Sequence, residues 1–237
     1  MTSIEEKYKN FIGIDETGVG DYFTPVVSVA CYIKPEFYNE ILNSEVKDSK
    51  KLSTKKIIEL YDFLKNKVHY SKTLLTQRGY NKLINSKINN NEIKTLIHSN
   101  SLNQLVAKNN LENIPVLIDQ YVVSWDILEK HFIKLKNIDW LNFSNPVSKL
   151  YLETKGESKC LAVACASIIA RYLLLEHMKR QNELYNFNFK LGASLEVDKQ
   201  AAEFIKLHGE SKLALVAKIS FKTTEKDKKI IIKKVRL

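Results

Sequence analysis

Cysteine is scarce in this sequence, and its few copies follow no structural pattern. Cys31, Cys160 and Cys165 are an odd number without CxxC spacing, and each sits in an apolar run. A free cysteine in such a run behaves as a small buried hydrophobic residue. The five histidines are scattered, with none paired at metal-ligand spacing. The sequence therefore argues against a structural disulfide and against a zinc site.

Targeting and membrane-spanning segments are also missing from the pattern. The opening stretch "MTSIEEKYKN" has acids where a signal peptide carries cations, and no apolar run follows it. The longest nearly apolar stretch, from Cys160 to Ala170, is too short to span a bilayer. We therefore expect a soluble, cytoplasmic protein that has no membrane partner.

Acidic residues are outnumbered by basic ones. The chain has 37 Lys and Arg against 27 Asp and Glu, a formal net charge of +10 and a pI near 9.3. A cytosolic protein this basic often binds nucleic acid. Much of the excess is diffuse lysine, a common compositional bias, so charge alone leaves nucleic-acid binding open.

The hydrophobic pattern predicts an α/β protein. The 237 residues, 44% hydrophobic, are enough for a large core. Residues 11–14 and 26–33 are predicted strands joined by a glycine turn, and further strands are predicted over "VHYSKTLL", "IPVLIDQY" and "SKLYLETKGE". No repeat or low-complexity linker interrupts the chain. We expect one domain, residues 1–237, in which helices pack on a mixed sheet.

Helical spacing fills most of the remaining segments. Pro35 is placed to open a short helix, and Ser53 is placed as the N-cap of a helix that follows it. Two helices flank an Asn-rich break near residue 89, and a long helix begins near Glu157. "EVDKQAAEFIKLHG" predicts a further helix, after which the chain ends in a basic tail, residues 225–237.

Acidic residues stand where predicted strands end. Asp15 and Glu16 follow the first strand, Asp119 ends the fourth, and Glu157 lies between the fifth strand and the long helix. In open α/β sheets, ligands collect at the carboxyl ends of strands. If the first and fourth strands are neighbours, these carboxylates converge on one spot.

Such a cluster suits a hard divalent cation. Carboxylate oxygens without His or Cys favour Mg²⁺ or Mn²⁺, and two such ions roughly 4 Å apart serve phosphodiester hydrolysis. The alternative is that these acids are helix caps and partners of helix dipoles, which are common at the same places. Separated Asp and Glu residues are a weak motif, so spacing alone leaves both readings open.

Several other residues are candidates for binding a phosphate-bearing ligand. A turn such as Gly18-Val19-Gly20 allows a ligand to approach the backbone, although a bare hairpin turn has the same pattern. Tyr22 offers a ring for stacking on sugar or base, and core packing is the alternative. Four lysines are candidate phosphate partners or ordinary surface charges: Lys50, Lys51, Lys155 and Lys159.

Taken together, these segments closely resemble one family. "GIDETGVGDYFTPVV", "DSKKLS", "VLIDQY", "KGESKCLAVACASIIARY" and "VAKISFKTTEK" occur in the order found in bacterial ribonuclease HIII, a branch of the type 2 ribonucleases H. The resemblance runs from Phe11 to Lys226. "GDYF", Glu at position 157 and "SIIARY" favour this branch over ribonuclease HII.

The resemblance implies a fold and an activity. The fold is RNase H-like, with a mixed five-stranded sheet flanked by helices and with helical C-terminal elements. The activity is cleavage of the RNA strand of RNA/DNA hybrids with one or two Mg²⁺ or Mn²⁺ ions, leaving 5′-phosphate and 3′-hydroxyl ends. Asp15, Glu16, Asp119 and Glu157 become the catalytic metal ligands. The glycine turn senses ribose, and the four lysines line the substrate groove.

The sequence also departs from the family pattern. Only ten residues precede the first predicted strand, so the usual N-terminal domain resembling the TATA-binding protein is expected to be absent. Thr24 stands where the family usually has Gly, and Val19 replaces a small polar residue. These changes leave open incision at single ribonucleotides in duplex DNA, as in ribonuclease HII. A non-catalytic hybrid-binding module and a junction resolvase are further alternatives, and a monomer is the expected state.

Overall fold

The computed structural model describes residues 5–46 and 52–224. Within them, five strands form one sheet in the order β3-β2-β1-β4-β5. The strands are β1 (Ile12–Thr17), β2 (Val26–Ile33), β3 (Val68–Leu75), β4 (Val116–Asp119) and β5 (Leu150–Glu153). The predicted mixed sheet is confirmed, since β1 pairs antiparallel with β2 and parallel with β4, and β4 pairs parallel with β5.

Helices occupy most of the described chain outside the sheet. They are α1 (Tyr38–Leu42), α2 (Thr54–Leu64), α3 (Gln77–Asn85), α4 (Asn90–Asn109), α5 (Trp125–Lys136), α6 (Gly156–Lys159), α7 (Leu161–Tyr185), α8 (Leu195–His208) and α9 (Glu210–Val216). The predicted N-cap is confirmed, because the Ser53 side chain accepts a hydrogen bond from the Lys56 amide at 3.2 Å. Neither α5 nor α9 was predicted as a separate helix.

Strand β1 is longer than its apolar pattern indicates. Its pairing with β2 continues past the last apolar residue, joining Asp15 to Val29, Glu16 to Ser28 and Thr17 to Val27. The two acids therefore lie inside the strand and not after it. Backbone hydrogen bonds to β2 carry the strand through residues whose side chains alone would not indicate one.

The parallel strands place two acids at matching positions. Ile14 in β1 pairs with Ile118 in β4, and the next residue in each strand is an acid, Asp15 and Asp119. Ile14 and Ile118 are buried in the same core cluster, where Leu102 and Leu105 of α4 are buried with them. The predicted neighbourhood of the first and fourth strands is thus confirmed.

The predicted long helix is broken near its start. Cys160 has extended backbone angles, φ −120° and ψ 119°, and separates α6 from α7. The start of α7 lies against β1, because a Cβ added to Gly13 would come within 2.1 Å of the Val163 nitrogen. Glycine at position 13 therefore allows the helix to approach the strand.

The chain divides into two compact units. One consists of Met1–Thr17, Val27–Leu74 and Asn91–Leu173 and carries nearly all of the sheet. The other consists of Gly18–Val26, Leu75–Asn90 and Leu174–Leu237. Its core contains packed aromatic rings, with Phe189 4.9 Å from Phe23 and 5.3 Å from Phe204 between centroids. A single domain remains a prediction.

One helix among the described residues, α7, is long and apolar enough to cross a membrane by length and composition. In its most apolar window, 67% of the helix is buried inside the protein, as in the core helix of a soluble protein. The apolar stretch predicted from the sequence ends at Ala170, whereas the helix that contains it continues to Tyr185.

Candidate active site

Asp15 is a buried carboxyl group surrounded by other acids. Asp15 is 8% exposed. Burial raises the pKa of its carboxyl group to about 8, and the charges of the adjacent Glu16 and, less strongly, of Glu157 act in the same direction. A hydrogen bond with the Ser167 side chain opposes this shift. A carboxyl group in this position is costly to ionise unless positive charge is added.

The carboxylate of Glu16 is paired with two side chains of α4. Its Oε1 lies 2.7 Å from Lys94 Nζ, and its Oε2 lies 3.0 Å from His98 Nε2. Burial acts to raise the pKa of Glu16, but His98 and Lys94 outweigh it and hold the pKa at about 2. The two adjacent acids of β1 therefore have opposite electrostatic environments.

Asp119 is tied to the short helix that carries Glu157. Its Oδ1 accepts a hydrogen bond of 2.9 Å from the backbone N–H of Gly156, the first residue of α6. The helix start lies close to the strand, because a Cβ added to Gly156 would come within 3.0 Å of Leu117 Cδ2. Glu157 follows directly, and its charge acts on Asp15. The end of β4 thus fixes the start of α6.

The chemistry of these donors fits a hard divalent cation. All four are carboxylates. Burial and, after it, the charge of Glu16 raise the pKa of Asp15, and a bound divalent charge would compensate for both. As the side chains stand, residues 5–46 and 52–224 contain no group of three or more His, Cys, Asp or Glu that could hold an ion. The carboxylate of Glu16 is directed towards Lys94 and His98. It would have to move before it could bind a cation together with the other acids.

The predicted lysine contacts have different environments. Lys159 forms an ion pair with Glu153 at 2.6 Å, while Lys155 is exposed and has a left-handed backbone, φ 55°. Lys50 and Lys51 lie outside the described residues. Of the four, Lys155 is therefore the described lysine whose position best suits contact with a ligand.

The glycine turn begins in a conformation that excludes a side chain. Gly18 has φ 87°, and a Cβ added there would come within 2.2 Å of the Pro25 carbonyl oxygen. Val19 is partly buried and Gly20 is exposed. Tyr22 is fully buried, and its hydroxyl lies 2.8 Å from Thr224 Oγ1. This is the core-packing alternative for Tyr22, and it leaves no ring face open for stacking.

Comparison with known proteins shows which family the chain belongs to. The family described as Ribonuclease HII matches residues 12–224. The Ribonuclease HIII of Phytoplasma mali is 36% identical over 215 residues, which cover 91% of this chain and 71% of that protein. The chain belongs to the ribonuclease HII family, in its ribonuclease HIII branch. It is therefore a ribonuclease, and the Ribonuclease HIII of Streptococcus pneumoniae (strain G54) is also similar, with 33% identity over 92% of this chain and 71% of that protein.

The fold agrees with solved structures of ribonuclease HIII. The crystal structure of Bst-RNase HIII in complex with Mn²⁺ matches with a TM-score of 0.85 and 30% sequence identity. The match covers 94% of this chain and 71% of that one. The predicted RNase H-like fold is thus confirmed.

Sequence reasoning missed several residues around the acids of this ribonuclease. Lys94 and His98, which hold Glu16, lie four residues apart in α4 and so share one helix face. The sequence indicated that Lys94 and His98 share a helix face, but it did not indicate that their partner is Glu16. Ser167, in the small-residue run of α7, gave no signal of its hydrogen bond to Asp15.

Proposed function

We propose that this ribonuclease cleaves the RNA strand of RNA/DNA hybrids with Mg²⁺ or Mn²⁺ held by Asp15, Glu16, Asp119 and Glu157. The observation that carries the proposal is the pair of acids one residue beyond Ile14 and Ile118, the paired residues of neighbouring parallel strands. Parallel strands bring such residues to one edge of the sheet, where ligands of α/β proteins bind. The products carry 5′-phosphate and 3′-hydroxyl ends.

Each carboxylate has a distinct task in this proposal. Asp15, buried and beside other acids, would hold the cation with a carboxylate whose ionisation is otherwise costly. Asp119 keeps one oxygen on the Gly156 amide, which holds its carboxylate at the end of β4. Glu157, in the first turn of α6, would be a further ligand, and Glu16 would be one if its carboxylate left Lys94 and His98. When bound, one or two such cations supply activation of water and stabilisation of the leaving 3′ oxygen.

Other residues bind the nucleic acid. The backbone of Gly18, Val19 and Gly20 recognises ribose, whose 2′-hydroxyl distinguishes RNA from DNA. Lys155 contacts a backbone phosphate, and Lys159 does so when it leaves Glu153. With a net charge of +10, binding is expected to weaken as salt rises. The protein acts as a cytoplasmic monomer, and the burial of most of α7 supports an existence outside the membrane.

The test uses two labelled substrates with the purified protein, in Mg²⁺ and in Mn²⁺. One is an RNA strand annealed to DNA, and the other is duplex DNA that contains a single ribonucleotide. We expect cleavage of the hybrid at several sites and little cleavage at the single ribonucleotide. Cleavage of the single site instead would assign the ribonuclease HII type of activity, and binding without cleavage in either metal would refute the proposal.

A further inference from the structure

Lys218 is a lysine with no exposed surface. It follows α9 directly after Ala217, and its relative exposure is 0%. Lysine is almost never fully buried unless it is paired, because removing its charge from water is costly. Within the described residues, no salt bridge to Lys218 is formed at 4.0 Å or less. Its burial therefore needs another explanation.

The side chain of Lys218 ends on the glycine turn. Its Nζ donates hydrogen bonds to the carbonyl oxygens of Gly18 and of Asp21, the second at 2.6 Å. Its backbone N–H donates to the Tyr22 carbonyl oxygen at 2.9 Å. One residue thus holds three carbonyl groups within five positions of the chain, all of them in the turn or directly after it.

The Gly18 carbonyl oxygen is the centre of this arrangement. Besides Lys218 Nζ, it accepts the Thr24 hydroxyl at 3.2 Å and the Asp21 amide at 3.3 Å. The Asp21 side chain in turn accepts the Gly192 amide at 3.0 Å. The carbonyl of a residue with φ 87° is therefore fixed by three donors, and the turn has little freedom to adopt another conformation.

The chemistry of the amine fits two carbonyl partners. Burial lowers the pKa of Lys218 to about 7, while the charge of Asp21 acts in the opposite direction. A neutral amine has two N–H groups, and two carbonyl oxygens lie within reach of Nζ. A methionine or leucine would fill the same space at lower cost, so the donors are the reason for lysine here.

We propose that Lys218, assisted by Thr24, is a positioning residue that sets the discrimination between ribose and deoxyribose by fixing the backbone of the Gly18-Val19-Gly20 turn. The inference rests on the proposed function, in which this backbone recognises the 2′-hydroxyl. Backbone groups discriminate a single hydroxyl only when they are held in place, because a loose turn accommodates either sugar. Thr24, one of the departures from the family pattern, supplies one of the three donors to the Gly18 carbonyl oxygen and so helps to fix the turn.

The test measures discrimination and not only activity. The variants are Lys218→Met, which keeps the length of the side chain but removes its donors, and Thr24→Val, which removes one hydroxyl. Lys212→Met, an exposed lysine of α9, is the matched control. Binding of labelled RNA/DNA hybrid and of DNA duplex of the same sequence is measured by fluorescence anisotropy in EDTA, where no cleavage occurs. Thermal melting reports folding, and KM and kcat for the hybrid are measured in Mn²⁺.

We expect Lys218→Met to bind the hybrid about fivefold more weakly, the effect of roughly one lost hydrogen bond, with binding of DNA duplex unchanged. KM for the hybrid should rise more than kcat falls. Thr24→Val should shift the same ratio by a smaller factor, and Lys212→Met should not shift it.

A folded Lys218→Met protein whose hybrid-to-DNA ratio equals that of the wild type would overturn the inference, as would a wild type that binds both duplexes equally. If Lys218→Met does not fold, Thr24→Val decides by the same criterion. The proposed function is tested separately, by cleavage of the hybrid by the wild type. A changed binding ratio in the variants without any cleavage by the wild type would reject the function and keep the role of Lys218.

Discussion

The end of β1 and the turn that follows it differ in how fully their polar groups are paired. In the strand, Asp15 has a raised pKa because it is buried beside other acids, and Glu16 depends on Lys94 and His98. In the turn, the Gly18 carbonyl oxygen is saturated by three donors. In the first region no cation of the described residues offsets the burial and acidic neighbours of Asp15, whereas the Gly18 carbonyl oxygen of the second is fully hydrogen-bonded without any ligand.

This contrast separates two requirements of a hydrolase that selects its substrate. A metal site must keep negative charge uncompensated, because that charge provides the affinity for a cation. A recognition element must be rigid before the substrate arrives, because ordering it afterwards would reduce affinity. Charge changes should therefore damage the first region, and changes of shape or of hydrogen-bond donors should damage the second.

The largest effect is expected from Asp119→Asn. Asparagine keeps the oxygen that accepts the Gly156 amide, so the start of α6 is preserved while the charge is lost. We expect hybrid cleavage to fall by on the order of 10³-fold, with hybrid binding in EDTA nearly unchanged. Asp126→Asn, an exposed acid of α5, is the control and should retain full activity. Wild-type activity in Asp119→Asn would remove this residue from the metal site.

Gly18→Ala tests the turn by shape alone. The substitution places a Cβ at φ 87° and 2.2 Å from the Pro25 carbonyl oxygen, so the turn must move or the protein must unfold. We expect a loss of roughly 2 to 4 kcal/mol in the free energy of unfolding, measured by urea denaturation. Gly20→Ala is the matched control, because nothing lies within 4 Å of its added Cβ. Equal stability of the two variants would contradict the rigid turn.

Lys94→Met tests whether Glu16 is a metal ligand that pairs with Lys94 in the metal-free protein. Without Lys94, the carboxylate loses its 2.7 Å partner, and the metal-free protein should lose about 1 to 3 kcal/mol of stability. Added Mn²⁺ should then raise the melting temperature of the variant more than that of the wild type, because no lysine competes for Glu16. Lys108→Met, exposed on the same helix, should behave like the wild type. An identical Mn²⁺-induced shift in Lys94→Met and the wild type would place Glu16 outside the metal site.

Much of the sheet could be predicted because its signal is local. β2 and β3 begin and end at the residues predicted from the sequence. The extension of β1 through Glu16 could not be predicted in this way, since it depends on pairing with β2. The break at Cys160 was also missed, because no Gly or Pro stands at it to indicate a turn.

The candidate site shows the same limit. Positions of the acids at strand ends follow from the chain order, and their role came from resemblance to a family. What surrounds them depends on distant segments: Lys94 is 78 positions from Glu16, and Lys218 is 200 positions from Gly18. Lysine is normally exposed, so a buried lysine that donates to backbone carbonyls has no sequence signature of its own.

The most gradual expected effect is a pH dependence that belongs to Lys218. Burial lowers its pKa from 10.5 to about 7, so between these values the unfolded state binds more protons than the folded state. The free energy of unfolding should therefore rise with pH in this window, by up to about 1 kcal/mol per pH unit, and Lys218→Met should lack this contribution. Asp21 opposes the shift, and Tyr80, whose ring lies 5.5 Å from Nζ, has a pKa raised by burial and stays neutral.

Urea denaturation of the wild type, Lys218→Met and the control Lys212→Met at pH 7, 8 and 9 measures this difference. The free energy of unfolding of the wild type should rise relative to that of Lys218→Met across the series, while Lys212→Met should keep a constant offset from the wild type. A constant offset for Lys218→Met as well would mean that Lys218 remains protonated in the folded protein. The turn would then hold a buried positive charge. It would differ from the end of β1, where the buried groups are acids, in the sign of its charge as well as in its rigidity.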